Sequence, residues 1–315
     1  MTSPIGRPPL DDVTFVIRRC GERTQSACES VIAAGVPVDQ IVRVETEPFA
    51  EALAEGHRRG IRERRTWTMC VDADVIVDLA AVEVLVHAAR LQRREVVEVQ
   101  GMVADKFFGI PRPAGNHLYR TAALSEALAC IDGGIDDLRP ETTSLRNLRR
   151  RGYRDLQLPT VVGVHDFEQS FADIYRKNFL QAFKHRRDLQ YLRDRFSRRA
   201  DSDADFRIAL RAIEDGLRHR GEVRVDRRFR PDDAAAAMND LGLDPKPPLA
   251  DADELIRPGF FEPFRERSSA GALRIAKMNQ HYFLRSAEPT RWQRRASRWK
   301  GRWIAMREGG GRYAA

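Results

Sequence analysis

The hydrophobic pattern of the first hundred residues alternates between short apolar runs and longer segments with helical periodicity. Four runs rich in apolar residues, at 13–17, 40–44, 67–71 and 96–103, predict buried strands. The segments between them, at 23–33, 48–59 and 79–91, predict helices. Because strands that alternate with helices form βαβ units, we predict an α/β fold: a Rossmann-like, mainly parallel sheet flanked by helices.

The pattern changes after residue 110. Residues 111–117 predict a loop, 141–151 a short basic helix and 160–164 a late strand. Aromatic residues then recur every four positions from Phe167 to Phe183, which places them along one face of a long helix and favours core packing. We therefore expect a disordered lead at 1–11, an α/β core at 12–165, a mostly helical extension packed on it at 166–285 and a basic, Trp-rich tail at 286–315.

The composition is that of a soluble globular protein. With 315 residues, of which 42% are hydrophobic and 32% charged, the chain can form one α/β domain and a smaller appendage. No apolar run approaches the length of a membrane span, and the N-terminus lacks a cationic segment followed by an apolar one. The four cysteines form no C-x-x-C pair, so neither a zinc site nor a disulfide framework is expected. These features predict a protein of the reducing cytoplasm.

The charge is basic and unevenly distributed. The formal net charge is +8 and the pI is about 9.6, which favours polyanionic partners such as nucleotide phosphates or acidic lipid surfaces. Residues 286–315 hold eight Lys or Arg against two acidic residues. A basic helix with Trp292, Trp299 and Trp303 near one face fits peripheral contact with the inner membrane face. The alternative is that these tryptophans pack on the core while the arginines stay solvated.

Polar residues follow several predicted strands, at the edge of the sheet where ligands bind in α/β proteins. Asp72 and Asp74 close the third strand, and residues two apart in an extended chain point to the same side. Paired carboxylates of this kind suit Mn²⁺ or Mg²⁺, which can bridge a diphosphate. His165, at the end of the late strand, adds an imidazole to the predicted metal site. Asp166 can ligate or cap the next helix, and we favour the cap.

In order and rough spacing, these pieces resemble the GT-A glycosyltransferases, most of all the large bacterial family-two type. The resemblance covers 13–165, about half of the chain, and is carried by VTFVIRRCGERTQSACESVIAAG, QIVRVET, TMCVDADVIV, RPETTSLRNLRRRGY and VVGVH. GNHLYRTAAL and HDFEQSFADIYRKNFLQAFKH look like stretches of an uncharacterised bacterial glycosyltransferase-like group. The resemblance implies the GT-A fold, a UDP- or GDP-sugar donor and a metal held by Asp72, Asp74 and His165.

The resemblance also implies roles for several acidic residues. Glu45 matches the family's nucleoside contact, where an Asp is usual, and Asp72 would lie at the donor as well as the metal. Glu141 matches the first of an acidic pair, and Thr142 stands where the general base of inverting members is expected. We therefore predict Glu141 as the catalytic base, with Asp137 behind it, and favour inversion while retention stays open. A charge that suits the helix N-terminus is the other reading of Glu141.

Basic residues near the same edge can pair with the donor diphosphate. The candidates are Arg18, Arg23 and Lys106, each of which also fits an ordinary surface or capping charge. His117 lies, with Tyr119 and Arg120, in a predicted loop that can contact the sugar or the acceptor. The acceptor hydroxyl would belong to a glycan or a lipid-linked molecule, in line with the basic tail.

Two other functions remain open. A nucleotidyltransferase acting on a sugar phosphate would use a similar sheet, but it normally needs a Gly-rich loop with a Lys after the first strand, whereas residues 18–23 hold one Gly and no Lys. A non-enzymatic protein could bind nucleotides or other polyanions through the basic tail. No helix-turn-helix, zinc or RNA-binding signature accompanies that charge, so nucleic acid is not an expected partner.

Overall fold

The computed structural model describes residues 10–131, 137–186, 188–225, 229–249 and 259–262, together with the backbone of 284–285. Within these residues, nine strands form one mixed sheet. The strands are β1 (Val13–Arg18), β2 (Ile41–Val44), β3 (Trp67–Asp72), β4 (Val75–Val77), β5 (Val96–Asp105), β6 (Pro111–Arg112), β7 (Asn116–Arg120), β8 (Arg154–His165) and β9 (Leu284–Arg285).

Most strands of the sheet share one direction. The order is β2-β1-β3-β7-β5-β8-β4, with β6 paired to β5 and β9 to β8. β1 is parallel to β2 and β3, and β5 is parallel to β8, whereas β7 and β4 run antiparallel to their neighbours. The carboxyl ends of β1, β2, β3, β5 and β8 therefore lie along the same edge of the sheet.

Nine α-helices surround or follow the sheet in the part of the chain that the structure describes. They are α1 (Gln25–Ala33), α2 (Phe49–Glu63), α3 (Leu79–Arg90), α4 (Leu124–Leu128), α5 (Pro140–Arg150), α6 (Phe171–Lys184), α7 (Leu189–Ser197), α8 (Ala204–Arg218) and α9 (Pro231–Asp240).

The sheet is buried on both faces, as apolar strands without polar alternation predict. Phe15 and Ile17 of β1 point to one face, where they join residues of α1 and α3 in a hydrophobic cluster. Val16, between them, points to the other face and packs with residues of α2, α4 and α5. The predicted α/β class, with a mainly parallel sheet flanked by helices, is confirmed.

Helices α6 to α9 form a second hydrophobic cluster beside the sheet. Phe171, Tyr175 and Phe179 of α6 are buried in it, and Phe107 and Phe108, which follow β5, reach into it from the sheet. The predicted helical extension is present, and the predicted packing role of the aromatic stripe is confirmed for these three rings. The domain boundaries stay a prediction.

Two local predictions were wrong. The segment predicted as a loop around His117 is β7, an inner strand between β3 and β5. Its polar residues concealed the strand, because Asn116 and His117 are buried through hydrogen bonds rather than apolar contacts: Asn116 Oδ1 accepts from Gly101 N, and His117 Nδ1 lies 2.9 Å from Glu98 Oε1. The short strand β4 was also missed, because its three residues fall below the length that a period reveals.

Among the described residues, no helix combines the length and apolar character needed to cross a bilayer. The basic tail at 286–315, with its three tryptophans, and most of the predicted lead at 1–11 lie outside the described residues.

We expect the second cluster to depend on Phe206 of α8, whose side chain is fully buried. Replacing Phe206 by Ala should lower the free energy of unfolding by about 3–5 kcal/mol, because it removes apolar contacts and leaves a cavity. Leu217→Ala on the same helix, where the side chain is 40% exposed, should cost less than about 1 kcal/mol. Urea denaturation measures both, and equal losses would contradict this assignment of the core.

Candidate functional site

The chain that follows β3 is hydrogen-bonded to the ends of two other strands. Ala73 N donates to the carbonyl of Arg18 at 2.9 Å, which ties this turn to β1. Asp166 N donates to the carbonyl of Asp74 at 3.2 Å, which ties it to β8. The backbone thereby brings the predicted acidic motif and the end of the late strand together at the carboxyl edge of the sheet.

Gly115 lies against this motif. Asp72 N donates to the carbonyl of Gly115 at 3.0 Å, and Gly115 has φ +60, a left-handed conformation that disfavours residues with a Cβ. A Cβ there would also approach Val75 Cγ2 to 2.6 Å and Asp72 Oδ2 to 3.3 Å. Glycine is therefore required for the close approach between the start of β7 and the end of β3.

A buried cluster of alternating charges lies at the end of β1. Arg18 Nη2 lies 2.8 Å from Asp72 Oδ1, and Arg18 Nη1 donates to Glu141 Oε1 at 2.5 Å. Glu141 Oε2 lies 3.2 Å from His117 Nε2, whose Nδ1 lies 2.9 Å from Glu98 Oε1. Four residues predicted for the site are thus brought together by β1, β3, β7 and the first turn of α5. We call Arg18, Asp72, Glu141, His117 and Glu98 the Arg18 cluster.

Burial and charge shift the pKa values in the Arg18 cluster in opposite directions. Burial raises the pKa of Asp72 to about 6, although Arg18 opposes this. Burial would also raise the pKa of Glu141, but the positive charges of Arg18 and His117 lower it overall. The pKa of His117 rises to about 10, because Glu141 and Glu98 outweigh the effect of burial. At neutral pH, His117 is therefore a cation and Glu141 an anion.

A second group combines two carboxylates and an imidazole. Asp74, His165 and Asp166 each offer a ligand atom within 4.8 Å of the others, and we call them the Asp74 group. His165 Nε2 lies 3.7 Å from Asp74 Oδ2, while its Nδ1 lies 2.9 Å from Asp105 Oδ2. A carboxylate on the far nitrogen of an imidazole is the usual way to orient a metal-binding histidine.

The Asp74 group fits a divalent cation. Its donor set of carboxylate oxygens and one imidazole nitrogen suits Mn²⁺, and Asp74 Oδ1 is buried without a hydrogen-bond partner. Burying such an oxygen costs solvation free energy, and a bound ligand would offset that cost. Asp74, His165 and Asp166 are therefore the residues of this edge that could hold a metal.

A lysine already neutralises these acids. Lys177 Nζ, on α6, donates to Asp74 Oδ2 and to Asp166 Oδ1, each at 2.5 Å. Burial would lower the pKa of Lys177, but Asp166 and Asp74 raise it overall. A divalent cation that used both carboxylates would have to displace this ammonium group.

The predicted metal set of Asp72, Asp74 and His165 differs from the group that the structure brings together. β3 ends at Asp72, and the chain turns at Ala73, so the rule for extended residues does not hold across the pair. Asp72 consequently points to Arg18, whereas Asp74 lies with His165 and Asp166.

The preferred prediction for Asp166, a cap on the next helix, was wrong. Ser170 is the N-terminal cap of α6, and its Oγ accepts from Asp173 N at 3.1 Å. Asp166 lies four residues earlier, has φ +54 and faces His165 and Lys177. The prediction failed because the aromatic period begins at Phe167, whereas the helix begins only at Phe171.

Two residues predicted to bind the diphosphate belong to a separate chain of ion pairs. Arg23 Nε lies 3.1 Å from Glu168 Oε1, which also binds Lys246 at 2.8 Å. Lys246 in turn lies 2.7 Å from Asp205 Oδ1, and Asp205 Oδ2 lies 2.6 Å from Lys106 Nζ. The side chains of Arg23 and Lys106 thus pair with acids outside the Arg18 cluster and the Asp74 group, and Lys106 reaches the Asp74 group only through its backbone N, which donates to the carbonyl of His165 at 3.3 Å.

The contacts that the structure shows for Glu45 and Asp137, the other two predicted residues, lie outside the two groups. Glu45, at the end of β2, pairs with Arg19, and its side chain is 60% exposed. Asp137 precedes α5, and its Oδ1 accepts from Arg139 N at 2.9 Å. Its Oδ2 is buried without a hydrogen-bond partner.

Three residues in or beside the two groups were not predicted, and two of them had a signal in the sequence. Asp105 ends β5 as Asp72 ends β3, so the same strand-end rule would identify it. Glu98 is a charged residue inside the mainly apolar strand β5, which is typical of a charge with a buried partner. Lys177 has no such signal, because its partners Asp74 and Asp166 follow β3 and β8 and only the tertiary structure joins them to α6.

Comparison with protein-family profiles gives no match for this sequence, and comparison with curated proteins gives none either. Among solved structures, a glycosyltransferase involved in glycosylation of the major capsid of PBCV-1 is 14% identical, with a TM-score of 0.34 over 50% of this chain and 94% of that chain. The mannosyltransferase PcManGT from Pyrobaculum calidifontis, in complex with GDP-Man and Mn²⁺, is 15% identical, with a TM-score of 0.37 over 89% of this chain and 90% of that chain. Both structures are glycosyltransferases.

Replacing Arg18 by Met should destabilise the protein in a pH-dependent way. Without Arg18, burial should raise the pKa of Asp72 further and that of Glu141 above its unfolded value. The folded state would then bind protons more tightly than the unfolded state, so the free energy of unfolding falls as pH rises through the raised pKa values. We expect a loss of about 3–5 kcal/mol near neutral pH or above, and a smaller loss at about pH 5.

Urea denaturation at about pH 5 and about pH 8 measures this difference. Arg19→Met is the matched control, because Arg19 pairs with Glu29 and Glu45 near the surface. It should cost about 0–1 kcal/mol at either pH. A penalty for Arg18→Met that does not change with pH would show that the two carboxylates are not held by this guanidinium.

Proposed function

We propose that the protein transfers a sugar from a nucleoside-diphosphate sugar to an acceptor hydroxyl with the help of a divalent cation. The observation that carries the proposal is the Asp74 group, in which two carboxylates and an oriented imidazole converge at the carboxyl edge of the sheet. In α/β sheets this edge is where nucleotides bind. The resemblance of residues 13–165 to GT-A glycosyltransferases supports the same reading.

Asp74, His165 and Asp166 would hold Mn²⁺ or Mg²⁺. When bound, the cation would neutralise charge that develops on the departing nucleoside diphosphate. Asp72, also predicted as a ligand, would reach the cation only by leaving Arg18, so we assign it to the Arg18 cluster. Asp105 would keep the His165 ring in orientation through Nδ1.

The residues around the edge suggest how a donor would be held. Glu45, at the exposed end of β2, would accept hydrogen bonds from the nucleoside. His117 and Arg18 would place positive charge behind the diphosphate, although their acidic partners already hold them in the absence of ligand. Arg23 and Lys106 would contribute only by exchanging Glu168 and Asp205 for the donor.

Of the two predicted bases, Asp137 has the better contacts for accepting a proton. Both oxygens of Glu141 are engaged by Arg18 and His117, and its pKa is lowered. A carboxylate with a lowered pKa and both oxygens occupied is a poor general base. Asp137 has one buried oxygen without a hydrogen-bond partner. We therefore assign Glu141 to positioning Arg18 and His117, and Asp137 to the acceptor hydroxyl in an inverting reaction.

The acceptor would be a glycan or a lipid-linked molecule of surface polysaccharide or glycolipid synthesis, reached in the cytoplasm at the inner membrane face. This part of the proposal depends on the basic tail at 286–315, whose composition suits an anionic membrane surface.

Isothermal titration of UDP and of GDP in the presence of Mn²⁺ tests the proposed function. At least one of these nucleotides should bind more tightly with Mn²⁺ than without it. Asp74→Ala should weaken the Mn²⁺-dependent binding by about tenfold or more, because it removes a metal ligand. Asp39→Asn, at a site whose side chain is 70% exposed, is the control and should bind as the wild type does. Full affinity in Asp74→Ala would exclude the proposed metal site.

Replacing Lys177 by Met should tighten the binding of Mn²⁺ alone. The substitution removes a positive charge from the two carboxylates that would bind the metal, so we expect a gain of about tenfold. Without metal, the variant should be less stable than the wild type, because two buried acids lose their counter-charge. Titration calorimetry and thermal denaturation with and without Mn²⁺ measure the two effects.

Lys246→Met is the matched control for Lys177, because Lys246 also bridges two carboxylates, those of Glu168 and Asp205. It should leave the affinity for Mn²⁺ unchanged within about twofold, since these acids lie outside the Asp74 group. Unchanged or weaker Mn²⁺ binding in Lys177→Met would contradict a competition between the lysine and the metal.

A further inference from the structure

A set of cations lies beside the Asp74 group with few acidic partners. It consists of Arg112 in β6, Arg139 at the start of α5, and Arg176 and Lys184 in α6, and we call it the cationic cluster. Three separate segments supply these residues, so the tertiary structure, and not a local run of basic sequence, produces the concentration of charge.

The contacts of the cationic cluster connect it to the proposed metal site. Arg112 Nη2 lies 3.4 Å from His165 Nδ1, and its guanidinium lies 4.5 Å from the centre of the Phe108 ring. Arg139 donates through Nη2 to the carbonyl of Lys184, which joins the start of α5 to the end of α6. The cluster therefore extends from the imidazole of the Asp74 group to the last turn of α6.

One face of α6 carries both Lys177 and Lys184. Lys177 and Lys184 are seven residues apart, so they lie on the same side of the helix about 10 Å from each other along its axis. Gln181 lies one turn after Lys177 on this face, and its Oε1 is buried without a hydrogen-bond partner. The face that holds Asp74 and Asp166 through Lys177 thus continues into the cationic cluster.

The acids around the cluster do not balance its charge. Asp105 lies 2.6 Å from Arg112 Nε, and Asp173 lies 3.3 Å from Arg176 Nη2. Among the residues that the structure describes, Lys184 Nζ has no ion-pair partner. Burial and the charge of Arg112 lower the pKa of Arg139, and the opposing effect of Asp188 does not outweigh them.

The electrostatics of Lys184 agree with this count. Burial and the neighbouring charges of Arg139, Arg176 and Arg112 lower the pKa of Lys184 to about 7. In addition, Arg176 Nε is buried without a hydrogen-bond partner. Cations that converge in this way raise one another's free energy, and a bound anion relieves that cost.

We propose that the cationic cluster binds a phosphate ester carried by the acceptor, so that the acceptor of the proposed reaction is a phosphorylated molecule. The assignment of the phosphate to an acceptor rests on the proposed function. The binding of a phosphate rests on the cationic cluster alone. The two cations with least compensation, Arg139 and Lys184, match the double charge of a phosphate monoester better than the single charge of a carboxylate. Guanidinium groups also suit its several oxygens.

The position of the cluster favours the acceptor over the donor. Arg139 follows Asp137, the proposed base for the acceptor hydroxyl, by two residues, and Asp137 accepts from its backbone N. The proposed nucleotide end lies at β1 and β2, on the far side of β3 from β5 and β8 in the strand order. A phosphate group of the donor is nevertheless the same chemistry, so the experiment separates the two sources.

Calorimetric titration of the full chain with glycerol 3-phosphate tests the inference. Glycerol 3-phosphate should bind both without nucleotide and with saturating UDP or GDP and Mn²⁺, and it should bind more tightly than lactate. Lys184→Met should weaken this binding by about tenfold or more, and Lys184→Arg should retain it within a few fold. Lys246→Met, which removes the same charge elsewhere, should have no effect.

Several outcomes would overturn the inference. Loss of glycerol 3-phosphate binding when the nucleotide is bound would assign the cluster to the donor diphosphate. Unchanged binding in Lys184→Met, or equal binding of lactate, would remove the phosphate from this cluster. Absence of any Mn²⁺-dependent nucleotide binding would instead refute the proposed function, and the arm without nucleotide would still test the cluster.

Thermal denaturation checks the folded state of the variants. Lys184→Met should melt no lower than the wild type, because it removes a repelled charge and no ion pair of the described residues. If it does not fold, Arg139→Gln replaces it as the variant expected to lose glycerol 3-phosphate binding, and wild-type affinity in Arg139→Gln would overturn the inference.

Discussion

The buried guanidinium of Arg18 is shared by two carboxylates that come from distant parts of the chain. Asp72 ends the neighbouring strand β3, while Glu141 lies in the first turn of α5, 123 residues further along the sequence than Arg18. Burying three charges costs solvation, which is recovered only when all three are in place. The backbone of Arg18 also accepts from Ala73 N. One residue therefore fixes, through both its main chain and its side chain, the turn from which Asp74 extends.

The two charged groups at this edge differ in the cations that balance their acids. In the Arg18 cluster, each side chain has partners of opposite charge, and Glu141 continues the alternation to His117 and Glu98. In the Asp74 group, the cation that balances the acids is instead a lysine from α6, Lys177. Both groups hold buried atoms without a hydrogen-bond partner, such as Asp74 Oδ1 and Arg18 Nε. Buried ion pairs are weak evidence for stability. We therefore explain the Arg18 cluster by positioning and the Asp74 group by ligand binding, rather than either of them by stability.

The sequence was sufficient for the features that depend on periodicity. The runs at 13–17 and 67–71 correspond to β1 and β3 within a residue, because apolar strands buried on both faces leave an unbroken signal. The helix face with Phe171 and Phe179 was predicted to be core and is buried. β7 was not recognised, since His117 satisfies its burial through charge, which no hydrophobic period records.

The candidate site was predictable only as far as strand ends reveal it. Asp74 and His165 were identified because both follow strands that end at the same edge. The exchange of Asp72 for Asp166 depends on the turn at Ala73, and the presence of Lys177 depends on how α6 packs. Both are properties of tertiary structure. The predictions for the basic tail concern residues outside the described part of the chain, so they stay predictions.

A chain of ion pairs connects the edge of the sheet to the helices. It links Arg23, Glu168, Lys246, Asp205 and Lys106. They join five segments: the loop after β1, the segment after β8, the proline-rich stretch after α9, the first turn of α8 and the residue after β5. Each of the three middle residues pairs with two neighbours. The rim of the sheet is therefore fastened to the helices by partly solvent-accessible charges, which salt weakens, whereas the apolar layers beneath are largely insensitive to it. Raising the ionic strength would therefore weaken the ion pairs between the edge of the sheet and the helices before it affects the packing of the sheet itself.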